Sequence, residues 1–585
     1  MKAEPMEQVP LNRQLWDRFV RMVKWFATDP GVGRTAVLRF ASLVLFLFLV
    51  NGLNVANSYV GRDFMTAIAD RDKAGFAFLA LSYLGVFAAI TVVTVVSRYT
   101  EESLGLLWRE WLTRRSLGRY LRHQNYYQLD TTGEIANPDQ RIADDIKAFT
   151  VTTLSFTLML LNSGFTVIAF SGVLWTISPL LFMVAVLYAA AGSYLAIRLG
   201  RPLVRLNYDQ LDKEANFRSA LIEVRDHADA IALLRREERL QGKLSSRLDD
   251  LAANFRKIVR INRNLGFFTT GYYWLIQIIP ALLVAPLYFD GKVEFGVVTQ
   301  SAMAFSVLVA AFSLIVTQFQ SISSFAAVIA RLGALAEAMD AVDPETRREA
   351  PAIQVVDDAG QVRYDGLTLR SPRSGRTLID GLTLAIPRGL AVRVVTEDDS
   401  VRAGLLRATA GFWKTGEGGI RRPGQEGIMF LTERPFLPAG TLRELLTPAR
   451  PDGAVPDPAL LDALSALGLE SLASRFGGLD TARDWGGILP LKEQQLLAVA
   501  RVLVAAPQFA FLDRPESALD PQGVERLLGL FEQRSISYVV FGETPGSLAG
   551  YGAVLELLAG GGWRWRSVEN GRLTEREPDG ADQWV

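Results

Sequence analysis

The stretch "VVTEDDSVRAGLLRATAGFW", residues 394–413, predicts an α/β domain in the C-terminal half of the chain. Its apolar strand, irregular turn and helix follow the order of a phosphate-binding loop. That loop has the pattern G-x-x-x-x-G-K-[ST], in which glycines let backbone N–H groups close around phosphates and a lysine neutralises them. Here the corresponding positions hold Thr396, Asp399, Val401, Arg402, Ala403 and Gly404. The shape of the loop is present, whereas its phosphate-binding residues are replaced.

Composition narrows the class of protein. The chain has 585 residues, which favours several domains, and 49% of them are hydrophobic. Its formal net charge is zero, so nucleic acid is not an expected partner. Cysteine is absent and only two histidines occur, which excludes disulfides and thiolate metal sites and predicts no metal centre.

Six apolar stretches are long enough to cross a bilayer, whose hydrocarbon core requires about 20 helical residues. We place them at 39–60, 76–98, 152–176, 179–198, 265–289 and 297–325. Long polar segments, 99–150 and 199–264, separate the second span from the third and the fourth from the fifth. Arg and Lys crowd these segments and the N-terminus, so the positive-inside tendency predicts that both termini are cytoplasmic.

The predicted fold class is a polytopic α-helical membrane domain of six spans followed by a C-terminal α/β domain. The texture changes near residue 356 to short strands, turns and amphipathic helices. We assign 1–345 to the membrane domain, 346–355 to a linker, 356–567 to the α/β domain and 568–585 to a flexible tail.

Several segments resemble ABC half-transporters of the branch that contains the SbmA/BacA peptide-uptake proteins, their ATPase-bearing bacterial relatives and the peroxisomal acyl-CoA half-transporters. These segments are "NVANSYVGRDFMTAI", "LWREWLTRRSLGRYL", "IANPDQRIADDIKAF" and "EANFRSALIEVRDHADAIALLRRE". The last two contain the residues to which the resemblance assigns coupling between the domains: Asp139, Gln140, Arg141, Glu214, Arg218 and Arg225. The resemblance also implies a homodimer or heterodimer of half-transporters in a bacterial inner membrane.

The same resemblance aligns the remaining ATPase motifs. In "MFLTERPFLPAGTLRELL", Glu433 stands where the family has the metal-contacting glutamine. "LPLKEQQLLAVARVL" matches the signature helix, with Pro490, Leu491, Lys492, Glu493 and Gln494 at the signature positions. In "FAFLDRPESALD", Asp513 keeps the Walker B carboxylate and Arg514 replaces the catalytic glutamate. Glu543 replaces the switch histidine.

These replacements predict an inactive ATPase. Phosphoryl transfer depends on compensating negative charge, whereas the turn here carries acidic side chains. Arg514 cannot be a general base, because guanidinium stays protonated in proteins. We therefore expect no catalytic residue and no cofactor, with ATP and Mg²⁺ bound only if the altered site still accepts them.

The expected function is transport of fairly large polar solutes, peptide-like or corrinoid-like. Two alternatives stay open, namely a regulatory or scaffolding subunit of a competent ABC transporter and an ATP-driven transporter with divergent motifs. Candidates for the solute pathway are Asn51, Asn54, Asn57, Glu101 and Glu102. For the asparagines, hydrogen bonding between helices is an equally good explanation. For the glutamates, an ordinary interfacial charge is the alternative.

Overall fold

The computed structural model describes residues 13–132, 135, 137–314, 318–342, 353–358, 360–372, 374–413, 415–448, 455–544, 546–569 and 571–574. Contacts divide the chain into two compact units. The membrane unit contains the chain up to Asn125 together with Ile135–Ala341. The cassette contains Tyr126–Glu134 and the chain from Val342 onwards. The segment Tyr126–Glu134, which we expected in the first domain, therefore groups with the second.

Helices make up the described part of the chain before residue 343. They are α1 (Arg13–Ala27), α2 (Gly33–Ala69), α3 (Lys73–Leu121), α4 (Asn125–Thr132), α5 (Pro138–Gln140), α6 (Ile146–Ile177), α7 (Pro179–Asp226), α8 (Ala228–Leu234), α9 (Glu237–Phe289), α10 (Phe295–Phe312) and α11 (Phe319–Val342). A 3₁₀ turn at Arg122–Gln124 precedes α4, and a π-helical turn at Arg141–Asp145 joins α5 to α6.

Six of the described helical segments are long and apolar enough to cross a membrane. This confirms the predicted membrane region and its number of spans. At about 1.5 Å per residue, the 49 residues of α3 extend over about 74 Å, more than twice the roughly 30 Å of a bilayer core. The polar segments after the second and fourth spans thus begin as continuations of α3, which ends at Leu121, and of α7, which ends at Asp226.

Two helix starts show how the sequence sets the boundaries of the spans. Asp72 precedes α3, and its side chain accepts a hydrogen bond from the backbone N–H of Ala74 at 3.1 Å. Ser178 precedes α7 and is followed by Pro179, a residue suited to the first helical turn. The predicted sixth span, 297–325, is too long, since α10 ends at Phe312 and a separate helix begins at Phe319. The apolar sequence continues across that break, so its composition did not mark the end.

The cassette is built on two sheets. Its strands are β1 (Ile353–Asp357), β2 (Gln361–Arg370), β3 (Thr377–Pro387), β4 (Val392–Val395), β5 (Gly416–Arg422), β6 (Ile428–Leu431), β7 (Phe509–Asp513), β8 (Ser537–Gly542), β9 (Ala553–Leu557), β10 (Trp563–Glu569) and β11 (Arg572–Thr574). The four-stranded sheet has the order β1-β5-β2-β3, and the seven-stranded sheet has the order β11-β10-β9-β4-β8-β7-β6. The predicted C-terminal α/β domain is confirmed.

The larger sheet is parallel from β9 to β6. Its strands are apolar because both faces are buried, one against helices and the other against the smaller sheet and the helix that follows β4. The cassette helices after β4 are α12 (Asp399–Thr409), α13 (Leu442–Leu446), α14 (Asp457–Ala466), α15 (Glu470–Phe476), α16 (Trp485–Ile488), α17 (Leu491–Ala505) and α18 (Pro521–Gln533).

Both predicted boundaries of the α/β domain need correction. Strand β1 begins at Ile353, within the stretch expected to be a linker, and it pairs in parallel with β5. Strands β10 and β11 form an antiparallel pair that reaches Thr574, within the stretch expected to be a flexible tail. Strand β1 depends on a distant partner, β5, and β11 has only three residues, so the local sequence gave little sign of either strand.

Candidate functional site

Several cassette residues that the sequence placed at the nucleotide site lie at one edge of the larger sheet. Strands β4, β8, β7 and β6 are neighbours and parallel, so their carboxyl ends lie side by side. In open α/β sheets this edge is where ligands bind. The turn before α12 follows β4, Glu433 follows β6, Asp513 ends β7, and Glu543 follows β8.

The turn after β4 uses its own carboxylate where a phosphate-binding loop would hold an anion. Asp398 accepts a hydrogen bond from the backbone N–H of Ser400 at 2.8 Å. The N–H groups of Val401 and Arg402 donate to the Asp398 carbonyl oxygen at 3.0 and 3.1 Å. A helix start attracts anions through its unpaired N–H groups. Here the N–H groups of Ser400, Val401 and Arg402 already bond to Asp398.

The other loop candidates have packing roles. Thr396 is buried, and its hydroxyl accepts a hydrogen bond from the backbone N–H of Asp398 at 3.3 Å. Val401 is buried in the apolar cluster beneath the sheet edge, and Ala403 is half-buried. Gly404 faces β3, where an added Cβ would stand 3.2 Å from Leu378 Cδ1.

Arg402, at the lysine position, is committed to two carboxylates. Its side chain is only 7% exposed. One terminal nitrogen contacts Asp513 Oδ1, and the other donates to Asp399 Oδ1 at 2.8 Å. The Walker B carboxylate therefore has a guanidinium as its partner.

Arg514 joins two further segments, those of Glu433 and Glu543, to the same group. It adopts a left-handed backbone conformation with φ 45°, directly after β7. Its Nη1 donates to Glu543 Oε1 at 2.6 Å, and its Nη2 donates to Glu433 Oε2 at 2.8 Å. Its Nη1 also lies 3.6 Å from Asp399 Oδ1. We call Asp399, Arg402, Glu433, Asp513, Arg514 and Glu543 the ion-pair network.

The network carries more negative than positive charge. Four carboxylates face two guanidinium groups. Burial raises the pKa of the Asp513 carboxyl, and the nearby Arg402 guanidinium offsets part of that rise. The hydrogen bond from Arg402 and its charge lower the pKa of Asp399. The site is thus a poor environment for a polyanion.

The residues present do not fit Mg²⁺ and a nucleoside triphosphate. The N–H groups of Ser400, Val401 and Arg402 bond to Asp398, and the Arg402 side chain is held by Asp399 and Asp513. Residues 396–403 contain no glycine that would let the loop backbone approach a phosphate. We derive no chemical step through a nucleotide at this site.

The signature segment begins α17. Pro490 is exposed at the N-cap and provides no side-chain hydrogen bond there. Leu491 is half-buried, and Lys492 is exposed. Glu493 pairs with Arg475 at 2.5 Å, and Gln494 Nε2 donates to the Leu489 carbonyl oxygen at 2.7 Å. The helix start therefore presents Pro490 and Lys492 at the positions where the family resemblance places a serine and a glycine, respectively.

Sequence reasoning missed a buried arginine beside the network. Arg393 lies within β4, and its side chain is 8% exposed. It donates to Glu516 Oε1 at 2.8 Å and to the Thr544 carbonyl oxygen at 3.0 Å. An arginine inside the apolar strand "LAVRVV" was the available signal, because a buried charge requires a partner. Arg393 links the segments that follow β7 and β8.

In the membrane unit, Asn51 links two helices. Its Nδ2 donates to Asn162 Oδ1 at 2.9 Å, and its Oδ1 accepts from Thr166 Oγ1 at 2.8 Å. The contacts of Asn51 therefore agree with the alternative explanation, in which it forms hydrogen bonds between helices. Asn54 is half-buried. Asn57 is buried, and its Oδ1 has no partner among the described residues.

Glu101 and Glu102 line a cleft of about 720 Å³ formed by α2, α3 and α6, and Asn162 lines it as well. Glu102 pairs with Arg98 at 3.0 Å, and Glu101 Oε1 accepts from Ser155 Oγ at 3.4 Å. The structure thus brings both glutamates and the Asn51 partner to one cleft. Their role in a solute pathway stays a prediction.

The coupling candidates lie in two separate helical regions. Asp139 and Gln140 are exposed on α5, whereas Arg141 is buried and donates to the Arg331 carbonyl oxygen at 3.1 Å. On α7, Arg218 is exposed. The other two candidates on α7 make local contacts, Glu214 with Gln210 at 3.1 Å and Arg225 with Asp226 at 3.2 Å. A coupling role stays a prediction for all six.

Comparison with known proteins adds independent information. A sequence model described as ABC transporter transmembrane region 2 matches residues 27–289. An uncharacterised ABC transporter ATP-binding protein of Synechocystis is 37% identical over 539 residues, which cover 90% of this chain and 81% of that protein. ABC transporter D family member 2, chloroplastic, of Arabidopsis thaliana is 34% identical over 643 residues, covering 97% and 91%. The lysosomal cobalamin transporter ABCD4 of Mus musculus is 26% identical over 593 residues, covering 96% and 97%.

A region of six membrane helices followed by an α/β cassette defines an ABC half-transporter. Its long, nearly full-length similarity to the Arabidopsis protein is more specific. The chain belongs to the D family of ABC half-transporters.

Proposed function

We propose that this half-transporter moves fairly large polar solutes without turning over ATP at its own cassette. The observation that carries the proposal is the ion-pair network. It occupies the carboxyl edge of the sheet and uses Arg402 and Asp513, the two groups that a nucleotide and Mg²⁺ would need. A cassette of this kind would provide a docking and dimerisation element.

The chemistry of the network argues against hydrolysis. Phosphoryl transfer requires positive groups aimed at the developing charge on the phosphate. Arg402 would have to leave two carboxylates, one of them largely buried, before it could contact a phosphate. Arg514 cannot accept a proton from water, because its guanidinium stays protonated.

The solute class is proposed from two supports. The mouse relative is named a cobalamin transporter, and a corrinoid is a large solute with many polar groups. The cleft in the membrane unit has a volume of about 720 Å³ and carries both polar and apolar side chains. We propose peptide-like or corrinoid-like solutes on these grounds, and a dimer in a bacterial inner membrane as the working assembly.

A nucleotide titration on the purified full-length protein tests the inactive cassette. A ligand that binds only the folded protein stabilises it by about 2.7 kcal/mol at 100 times its Kd. We expect millimolar MgATP to leave the thermal unfolding midpoint unchanged. A competent ABC ATPase should shift in parallel as the positive control. A saturable shift that disappears in Arg402→Ala would contradict the proposal.

Uptake by the protein alone separates transport from a regulatory role. Proteoliposomes that contain only this chain should take up solute at a rate above empty liposomes. If uptake appears only after a second ABC half-transporter is added, the chain is a regulatory or scaffolding subunit instead.

A further inference from the structure

The cleft in the membrane unit has opposite charges at two levels. It is formed by α2, α3 and α6, and its apolar wall includes Leu47, Val50, Val151 and Leu154. Five charged side chains also line it: Arg98, Glu101, Glu102, Arg109 and Lys147. A site with an apolar wall and a few polar groups has the usual makeup of a small-molecule pocket.

The register between α3 and α6 fixes the two levels. Ser155 of α6 donates to Glu101 of α3 at 3.4 Å. One turn further along α3, a Cβ added to Gly105 would stand 3.9 Å from Leu154 Cδ2 on α6. The numbering thus rises on α3 as it falls on α6. Counted from the Glu101 and Ser155 contact, a step of eight residues on each helix brings Arg109 level with Lys147, and both line the cleft.

Eight helical residues separate Glu101 from Arg109, and eight separate Ser155 from Lys147. At a rise of 1.5 Å per residue, the two levels lie about 12 Å apart. The Glu101 level is negative, and the Arg109 and Lys147 level is positive.

The charges at the two levels do not form ion pairs with one another. Glu102 is paired with Arg98 at 3.0 Å. Glu101 has a serine hydroxyl as its hydrogen-bond partner, and within the described residues neither Arg109 nor Lys147 forms an ion pair. A ligand could therefore place one cationic group near Glu101 and one anionic group near Arg109 and Lys147.

A rigid polar corner adjoins the cleft. Asn162 accepts a hydrogen bond from Asn51, which is itself held by Thr166. The amide of Asn162 is thus fixed in orientation.

We infer that this cleft binds an extended zwitterionic solute whose opposite charges stand about 12 Å apart around an apolar middle. An extended peptide advances about 3.3 Å per residue, so a peptide of about four residues with free termini matches the spacing. The inference rests on the proposed function, because it names the solute class of the proposed transporter.

The probe is an alanine-leucine-phenylalanine-alanine tetrapeptide, titrated calorimetrically against the full-length protein in nanodiscs. N-acetylation removes its ammonium group, and C-amidation removes its carboxylate. We expect each modification to weaken binding about tenfold, as expected for loss of one charge-assisted contact. A dipeptide, which cannot reach both levels, should bind at least tenfold more weakly than the tetrapeptide.

Protein variants assign each peptide terminus to its level. In Glu101→Gln, acetylation should cause no further loss, whereas amidation should still cost about tenfold. In Lys147→Gln, C-amidation of the peptide should reduce its affinity by less than tenfold, whereas N-acetylation should still reduce it about tenfold. Lys292→Gln, at an exposed lysine paired with Asp290, is the matched control and should leave all ratios unchanged. A merely structural role would weaken all probes by the same factor.

Three results would overturn the inference: no binding of the tetrapeptide at millimolar concentration, equal binding of all its forms, or displacement by a short-chain phosphatidylethanolamine with no dependence on the peptide termini. The last would identify the cleft as a lipid site. The MgATP titration and solute uptake are measured separately, so failure here would not by itself contradict the inactive cassette.

Discussion

At the scale of single residues, the cassette pairs its charged side chains with one another at the carboxyl edge of the larger sheet. Arg402 and Asp513 have side chains only 7% and 14% exposed, so each needs the other. Removing one partner of a buried pair costs about 3–5 kcal/mol, whereas replacing both by apolar groups is often close to neutral. The pair should therefore behave as a unit when mutated.

We predict that Arg402→Leu and Asp513→Leu each destabilise the cassette by about 3 kcal/mol, and that the double variant recovers much of this loss. Hydrogen exchange of β4 and β7 in the full-length protein measures the effect. Arg501→Leu, at an exposed arginine, should change stability by less than about 0.5 kcal/mol. Additive losses in the double variant would mean that the two side chains do not stabilise one another.

The pH dependence of the network is a second prediction for single residues. The hydrogen bond from Arg402 and its charge lower the pKa of Asp399 in the folded protein. Its contribution to stability is therefore complete above the unfolded pKa of about 4 and is lost as pH falls through the folded value.

Asp399→Asn should flatten the loss of cassette stability below about pH 4, again measured by hydrogen exchange. Asp462→Asn, at an exposed carboxylate outside the network, is the control and should follow the unmodified protein. If the Asp399 variant loses stability below about pH 4 just as the unmodified protein does, this carboxylate does not contribute to the pH dependence.

At the scale of elements, the sequence predicted positions better than partners. The order strand, turn, helix located Asp399 and Arg402, and the apolar run "FAFLD" located Asp513. Their pairing depends on the sheet order β4-β8-β7-β6, which places distant segments side by side and leaves no local pattern in the sequence. The same reason hid the Arg393 and Glu516 contact.

In the membrane helices, too, the sequence predicted the positions of elements better than the contacts between them. Length and apolarity identified the spans, because a bilayer imposes both. Arg109 and Lys147 both fall in the polar segment 99–150, where no sequence pattern singles them out. They became a joint feature only when the register of α3 and α6 placed them at one level of a cleft.

The proposed coupling helices provide a prediction at this scale. Arg218 is exposed on α7, so Arg218→Glu should leave the membrane unit folded. If the residue supports coupling, transport should fall about fivefold or more, since coupling energies are typically 1–3 kcal/mol. Arg141 is buried, so Arg141→Glu should also impair assembly.

Uptake in vesicles and detection of the protein in the membrane fraction measure these effects. Arg239→Glu, at an exposed position near the start of α9, is the control. Unchanged uptake and assembly in both variants would remove these residues from the coupling proposal.

At the scale of the whole molecule, the distribution of basic residues predicts its orientation. Lys and Arg are concentrated before the first span and in the two long polar segments, and an even number of spans returns the chain to its starting side. A C-terminal fusion to a reporter that works only in the cytoplasm should therefore be active, and a fusion to one that works only on the external side should be inactive. If only the external reporter is active, the predicted orientation is wrong and the cassette lies outside the cytoplasm.

The final prediction concerns the assembled transporter. In ABC dimers, as the family resemblance implies, each ATP site joins the loop of one subunit to the signature of the other. A competent partner would meet Pro490 and Lys492 at the start of α17, and its own signature would face the acidic turn before α12. Both composite sites would be compromised.

We therefore predict that the protein, alone or with a partner, has no ATP turnover above a control that carries Asp513→Ala. Arg514→Glu alone should not restore turnover, because Asp398 would still engage the loop donors and Arg402 would still be held by Asp399. Phosphate release measured in proteoliposomes provides the readout. Robust hydrolysis that is lost with Asp513→Ala would mean that the network opens to admit Mg²⁺ and nucleotide, and the chain would then be an ATP-driven transporter with divergent motifs.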